Sequence, residues 1–214
     1  MIKVLVVDDH ALIRMAIKSL LIDAPGIKVI GEAASGEEAV VLAKELIPDV
    51  VILDIDMPGI GGLGAIPKLL NHQPAIKVLI LTIYDAEPYP TRLIEAGAHG
   101  YLTKGCQPEE LIKAIRAVYA GESYISPRVA QNMAAKRFAS EPESPFNLLS
   151  KREFQIVLML IQGVPPKEIS EKLFLNMKTV NGYRYLIFKK LHVYSDVELT
   201  LLALRHGLLE SEKM

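Results

Sequence analysis

"IKVLVVDDH", residues 2–10, carries a run of apolar residues straight into two adjacent carboxylates, Asp8 and Asp9. Neighbouring carboxylates repel, and burying one without a partner is costly. One reading leaves both in water as a helix N-cap and first-turn acid. The other makes them ligands at the end of a buried strand. The rest of the pattern decides.

Four further apolar runs follow: "IKVIGEA" (27–33), "DVVILD" (49–54), "IKVLILT" (76–82) and "HGYLTK" (99–104). Each is rich in Val, Ile or Leu and hydrophobic through most of its length, as strands are when both faces of a parallel sheet are covered. Helical spacing alternates with them. "ALIRMAIKSLLIDA" (11–24) and "SGEEAVVLAKELIP" (35–48) repeat apolar residues at three and four, and Ser35 with Glu38 predicts a capping box. "PEELIKAIRAVYAG" starts on Pro108 and stops at Gly121. Pro67 lies inside the apparent third helix and predicts a kink or a late start. Five such units predict an α/β fold, a flavodoxin-like, doubly wound, five-stranded parallel domain over residues 1–121.

Ligands of such folds bind beyond the carboxyl ends of the strands. Asp8 and Asp9 stand at the first of these ends, Asp54 and Asp56 at the third, Thr82 at the fourth and Lys104 after the fifth. Crowded together, Asp8, Asp9 and Asp54 would resist full ionisation. A hard divalent cation, Mg²⁺ by preference, would relieve the repulsion through oxygen ligands. It could then neutralise an incoming phosphoryl group while Lys104 holds the other oxygens. A carboxylate in that setting can act as a nucleophile and become an aspartyl phosphate.

These positions resemble the receiver domain of two-component response regulators, over residues 2–121. "DMPG" after Asp54 and "YLTKG" around Lys104 match that family as well. The resemblance implies that Asp54 is the phospho-acceptor and that Asp8 and Asp9 hold the metal, with Asp56 adding its backbone carbonyl. It makes Lys104 the phosphoryl-binding cation, Thr82 the hydroxyl that turns toward the phosphoryl group, and Tyr101 the aromatic that rotates inward. "VVILDIDMP" also looks like the D-x-D of haloacid-dehalogenase-type phosphatases. That motif belongs on a first strand with Thr or Val two residues after the second Asp, where this chain has its third strand and Pro58.

Composition narrows the class. No apolar run reaches the roughly 18 residues of a membrane span, and the N-terminus lacks a signal-peptide layout. Cys106 is the single cysteine, so an internal disulfide or a multi-cysteine zinc site is excluded and a reduced, cytoplasmic setting is expected. Residues 1–120 hold 11 Lys+Arg against 15 Asp+Glu, whereas residues 146–214 hold 10 against 7. An acidic front and a basic back suit different partners, a cation and a polyanion.

The halves are joined by "GESYISPRVAQNMAAKRFASEPESPFN", in which Ser126 and Pro127 read as N-cap and first residue of a short helix. "SEPESP" (140–145) reads as a mobile tether. Beyond it the pattern is helical: "SKREFQIVLMLIQG" with a Ser150–Glu153 box, "PPKEISEKLF", "NMKTVNGYRYLIFKKLHV" capped by Asn176, and "SDVELTLLALRHGLL" capped by Ser195. The second and third, joined by a brief turn, form a helix-turn-helix candidate. Its second helix offers Lys178, Thr179, Asn181, Gly182, Arg184, Tyr185, Lys189 and Lys190 as candidate DNA contacts. Lys178, Arg184, Lys189 and Lys190 suit phosphates, and Asn181 and Tyr185 suit base edges.

"LSKRE", "KEIS", "TVN.YRY" and "KL.V" resemble the LuxR-type helix-turn-helix of the NarL/FixJ response regulators from Leu149 to Leu209, and the longer matches "ESPF..LS.RE.QI.LM" and "DVELT.LA.RHGL" look like the GacA/UvrY type. Pro165, Pro166 and Gly182 depart from that pattern. An all-α, four-helix domain is expected at 147–214, after a linker at 122–146 with one short helix. The implied protein is not an enzyme. It is a phosphorylation-activated transcriptional regulator served by a sensor histidine kinase or phosphotransfer domain, binding double-stranded DNA as a homodimer when phosphorylated, away from any membrane. The rival output is a basic module that binds protein or RNA.

Overall fold

The computed structural model describes residues 1–85, 87–138 and 144–209. Contacts divide the chain into two compact units, Met1–Asp85 with Leu93–Asn132, and Ala86–Arg92 with Met133–Met214.

The first unit is built on strands β1 (Ile2–Val7), β2 (Ile27–Ala33), β3 (Val50–Leu53), β4 (Lys77–Thr82), β5 (Gly100–Thr103) and β6 (Tyr124–Ile125). They form one parallel sheet in the order β2-β1-β3-β4-β5-β6. The sheet therefore has six strands among the described residues, one more than the sequence pattern predicts. The added edge strand is two residues long, too short to show a period, and pairs Tyr124 with Gly100 and Ile125 with Tyr101.

Helices α1 (Ala11–Ile22), α2 (Gly36–Leu46), α3 (Gly61–His72), α4 (Tyr89–Glu95) and α5 (Pro108–Tyr119) alternate with the strands in sequence, and α6 (Pro127–Phe138) follows β6; of α4 and α6, only Leu93–Glu95 and Pro127–Asn132 belong to this unit. Alternate strand residues Val4, Val6, Val50, Ile52, Leu79 and Leu81 pack with Ile17 and Leu21 of α1 and with Leu111, Ile115 and Val118 of α5. The intervening Leu5, Val7, Val51, Leu53, Val78 and Ile80 are just as buried. Successive strand residues face opposite sides of the sheet, so both faces are covered.

Three local features bear on the expected caps and breaks. Ser35 caps α2 by accepting from the Glu38 amide, but Glu38 reaches back to the Ala34 amide at 2.6 Å rather than to the cap residue. Helix α3 starts at Gly61 and runs through Pro67, which has no N–H to give to the carbonyl four residues earlier. Helix α6 begins at Pro127 as expected, yet the buried Ser126 hydroxyl has no hydrogen-bond partner and so supplies no side-chain cap.

The second unit holds α7 (Lys151–Ile161), α8 (Pro166–Lys172), α9 (Met177–Leu191) and α10 (Asp196–Arg205), preceded by a 3₁₀ turn at Pro145–Leu148. Ser150 and Glu153 complete the capping box of α7, Asn176 and Ser195 cap α9 and α10, and Pro165 and Pro166 take the N-cap and first position of α8. Its core joins Phe154, Val157, Ile169, Val180, Ile187 and Leu199, all fully buried. Arg152 donates to the Leu173 carbonyl at 2.9 Å and so ties α7 to the turn between α8 and α9. Residues 140–143 of the expected tether lie outside the described residues. Among the described residues no helix is long and apolar enough to cross a membrane.

One close approach fixes the loop that follows β3. A Cβ on Gly62 would press into the Asp54 carbonyl oxygen and come within 2.7 Å of the Ile55 Cα, both backbone atoms. Only glycine lets α3 start against the segment that carries Asp54. Gly62→Ala should cost about 1–3 kcal/mol through this overpacking. Urea unfolding measures it, and an unchanged midpoint would mean that the loop yields freely.

Candidate functional site

The strand ends converge as the sequence implies. Asp8 and Asp54, both buried, lie at the ends of the adjacent strands β1 and β3, and the Asp54 amide donates to the Val7 carbonyl. Lys104 follows β5 and places its Nζ 2.7 Å from Asp8 Oδ2 and 2.9 Å from Asp54 Oδ2. A single ammonium thus holds two buried carboxylates together. The other Asp54 oxygen accepts from the Ile55 amide at 2.8 Å.

Burial pushes the Asp54 carboxyl above its ordinary value. The Lys104 charge and hydrogen bond pull it back, and the Asp8 charge raises it further. Burial works against the Lys104 charge, but its bond to Asp8 and the field of Asp54 outweigh that and carry its pKa upward. The mutual repulsion expected from the acids therefore exists at Asp54, although desolvation is the larger cause.

Asp9 sits beside this pair, half-buried. Its Oδ1 is enclosed and makes no hydrogen bond; His10 Nδ1 lies 2.7 Å away without donor geometry. Asp8, Asp9 and His10 bring one potential ligand atom each within 4.8 Å of one another. Asp8 Oδ1 accepts from the His10 amide at 2.8 Å, and the N-cap of α1 is His10, with no side-chain cap bond. Neither aspartate caps that helix.

Thr82 is fully buried at the end of β4, and its hydroxyl accepts from the Tyr84 amide at 3.4 Å. Tyr101, expected to rotate inward, is already fully buried, with its hydroxyl donating to the Tyr84 carbonyl at 2.8 Å. The Tyr84 hydroxyl in turn donates to Asp56 Oδ2 at 3.2 Å. Sequence reasoning missed Tyr84 because a loop residue carries no periodic signal.

In the second unit, helix α9 exposes Lys178, Asn181, Gly182, Tyr185 and Lys189. Their spacing of three and four places them on one face. The remaining candidates are engaged internally. Arg184 forms a two-pronged ion pair with Asp196, with Nε 2.9 Å from Oδ1, and lies over the Phe188 ring. Lys190 reaches Glu153 Oε2 at 2.7 Å, and the Thr179 hydroxyl donates to Asn176 Oδ1 at 2.8 Å. Burial opposes the Glu153 charge, yet the bonds from Lys190 and Ser150 hold its carboxyl below the usual value.

Lys104→Met would leave Asp8 and Asp54 facing each other in a buried setting. Removing one partner of such a group costs about 3–5 kcal/mol. Denaturant unfolding at neutral pH should show that deficit. It should shrink on acidification, beginning above pH 3.8, because the raised Asp54 carboxyl takes up a proton and no longer needs the ammonium.

Residues 4–116 match the response regulator receiver domain, and residues 147–203 match the bacterial regulatory proteins of the luxR family. Response regulator GacA of Pseudomonas aeruginosa is 54% identical over 212 residues, 99% of each chain. Response regulator UvrY of Escherichia coli K12 is 49% identical over 215 residues, covering 100% of this chain and 99% of that one. A two-component response regulator of the LuxR family from Aurantimonas sp. has 38% identity and a TM-score of 0.61 over 64% of this chain and 97% of its own. RcsB of Salmonella typhimurium, at 23% identity and a TM-score of 0.76 over 94% and 95%, shares the fold. The chain belongs to the response regulators that join a receiver domain to a luxR-type helix-turn-helix, and it is a phosphorylation-activated, DNA-binding transcriptional regulator.

Proposed function

We propose that Asp54 is the phosphoryl acceptor, in a receiver domain at 1–121, and that a linker at 122–146 passes its state to a DNA-binding domain at 147–214. The observation that carries this reading is the Lys104 ammonium shared between Asp8 and Asp54. Both Asp54 oxygens are engaged, one by Ile55 and one by Lys104. The oxygen bonded to Lys104 attacks the phosphorus of a phosphohistidine on a sensor kinase or phosphotransfer domain. An O–P bond forms, the N–P bond breaks, and the imidazole keeps the electron pair and takes a proton. Lys104 exchanges its bond to that oxygen for one to the transferred phosphoryl group.

The site fits Mg²⁺, since Asp8 and Asp9 bring hard carboxylate oxygens together and the enclosed Asp9 Oδ1 accepts no hydrogen bond, with the His10 imidazole the third potential ligand beside them. Asp8, Asp9, Asp54 and the Asp56 carbonyl would hold it, and when bound it supplies positive charge beside the incoming phosphoryl oxygens. The Thr82 hydroxyl then turns to the phosphoryl group. The output is binding rather than catalysis: the phosphorylated chain pairs with a second copy and docks on double-stranded DNA, in the cytoplasm. Solved RcsB structures include one bound to a promoter and one in a DNA complex, which supports the DNA reading.

Asp54→Asn should accept no label from a small phosphodonor. The wild-type labelling rate should climb with pH through a midpoint above 3.8, because attack needs the carboxylate and burial raises its pKa. Equal labelling of Asp54→Asn and wild type would remove the assignment.

On α9, Lys178 and Lys189 are the phosphate contacts, and Asn181 and Tyr185 read bases. Asn181→Ala should cost about 1–3 kcal/mol on a selected duplex and relax preference at one position. Nothing lies within 4 Å of where a Gly182 Cβ would stand. Gly182→Ala should therefore stabilise the chain by about 1 kcal/mol. Loss of specific binding in that variant would place the DNA against the helix backbone, and full retention would exclude this.

A further inference from the structure

The loop after β4 touches more than the acid site. Asp85 Oδ2 pairs with Arg128 at 2.6 Å, and the Asn132 side-chain amide donates to the Asp85 carbonyl at 3.2 Å. Arg128 and Asn132 are four residues apart in the first turns of α6, so they sit on one face and grip the same residue. Asp85 follows Tyr84, whose carbonyl accepts from Tyr101 and whose hydroxyl reaches Asp56, two residues after Asp54. The ring closes through the main chain, because the Ser126 amide donates to the Tyr101 carbonyl at 3.0 Å immediately before α6.

We propose that Tyr84 and Asp85, with Arg128 and Asn132, form a latch. It closes while Tyr101 is inside, and it orders the first half of the linker helix when Asp54 carries a phosphoryl group. The proposal rests on Asp54 as acceptor and adds how its state reaches the segment ahead of the DNA-binding domain. Thr82 is linked to the same loop by the bond from the Tyr84 amide. Drawing Thr82 toward the phosphoryl group fixes Tyr84 and leaves room for Tyr101. The Tyr101 hydroxyl then pins the Tyr84 carbonyl and presents Asp85 to α6. With Tyr101 outside, the Tyr84 carbonyl loses that donor, Asp85 shifts and the grip on Arg128 and Asn132 fails.

The strength of the latch suits reversible use. Arg128 is 78% exposed and Asp85 25%, so the ion pair alone is a weak, screened contact. Local openings of that kind are what a modest bias at a distant site can shift. The Ser126 hydroxyl gives α6 no side-chain cap, so contacts from outside the helix weigh more on its first turn.

Amide hydrogen exchange on the full chain tests this, with Mg²⁺ and beryllofluoride as the phosphoryl mimic. Residues 130–135 should exchange at least about fivefold more slowly on adding the mimic. The double variant Arg128→Ala/Asn132→Ala should lose that slowing while still labelling on Asp54, and Tyr101→Phe, which keeps the ring and removes only the hydroxyl, should lose most of it. A double variant that slows as the wild type does overturns the latch. A wild-type α6 that does not slow while residues 82–85 respond also overturns it and leaves the acceptor assignment standing. If neither segment responds in the wild type, the acceptor assignment falls together with the latch.

Discussion

A shared ammonium is the constraint on which the first unit depends. Lys104 reaches from the end of β5 across β4 to carboxylates on β1 and β3, so one side chain ties together strands from both halves of the sheet. Two buried acids so close would otherwise force one to stay protonated. The sheet order that places β1 beside β3 creates the conflict, and the end of β5 supplies its remedy. On the role proposed for Asp54 the same arrangement is poised for chemistry, because a cation already paired with its oxygen can transfer to the oxygens of an incoming group without reorganising the site.

The two units use opposite strategies for charge. In the first, acids are gathered and buried against a single cation. In the second, α9 keeps its cations at the surface or spends them on structure: Arg184 joins α9 to the start of α10, and Lys190 joins it to the cap of α7. Those two pairs add to the packing of the buried Val180, Ile187 and Leu191, which seats the helix against its neighbours. The exposed residues of α9 inherit that orientation.

Much of this was legible in the sequence. Five strand runs, the acids at their ends, and Lys104 could be placed because each sits at a fixed point of a repeating unit. The caps Ser150, Asn176 and Ser195 were legible for the same reason, being local patterns of three or four residues. What escaped was set by tertiary context. The pairing of Arg184 with Asp196 joins residues 12 apart on different helices, and that of Lys190 with Glu153 spans 37. A basic residue gives no local sign of whether its partner is a phosphate or a neighbour's carboxylate. Ser126 resembled a cap, but burial left its hydroxyl without a partner. Tyr84 and Asp85 lie in a loop, where position is decided by what packs around it.

The internal pairing of Arg184 and Lys190 has a consequence for the search along a genome. Each phosphate neutralised releases counterions, so the salt dependence of binding counts the cations that a protein brings to the backbone. With the DNA contacts proposed above, helix α9 would bring two, Lys178 and Lys189, where the sequence advertises four. One such helix therefore contributes little to indiscriminate adhesion on bulk DNA. A pair of modules held together, as proposed, would double that contribution at once and make the second contact intramolecular. On the proposed pairing, residence on DNA would depend on the joining of two chains more than on the grip of either, so occupancy would fall off steeply once the chains separate.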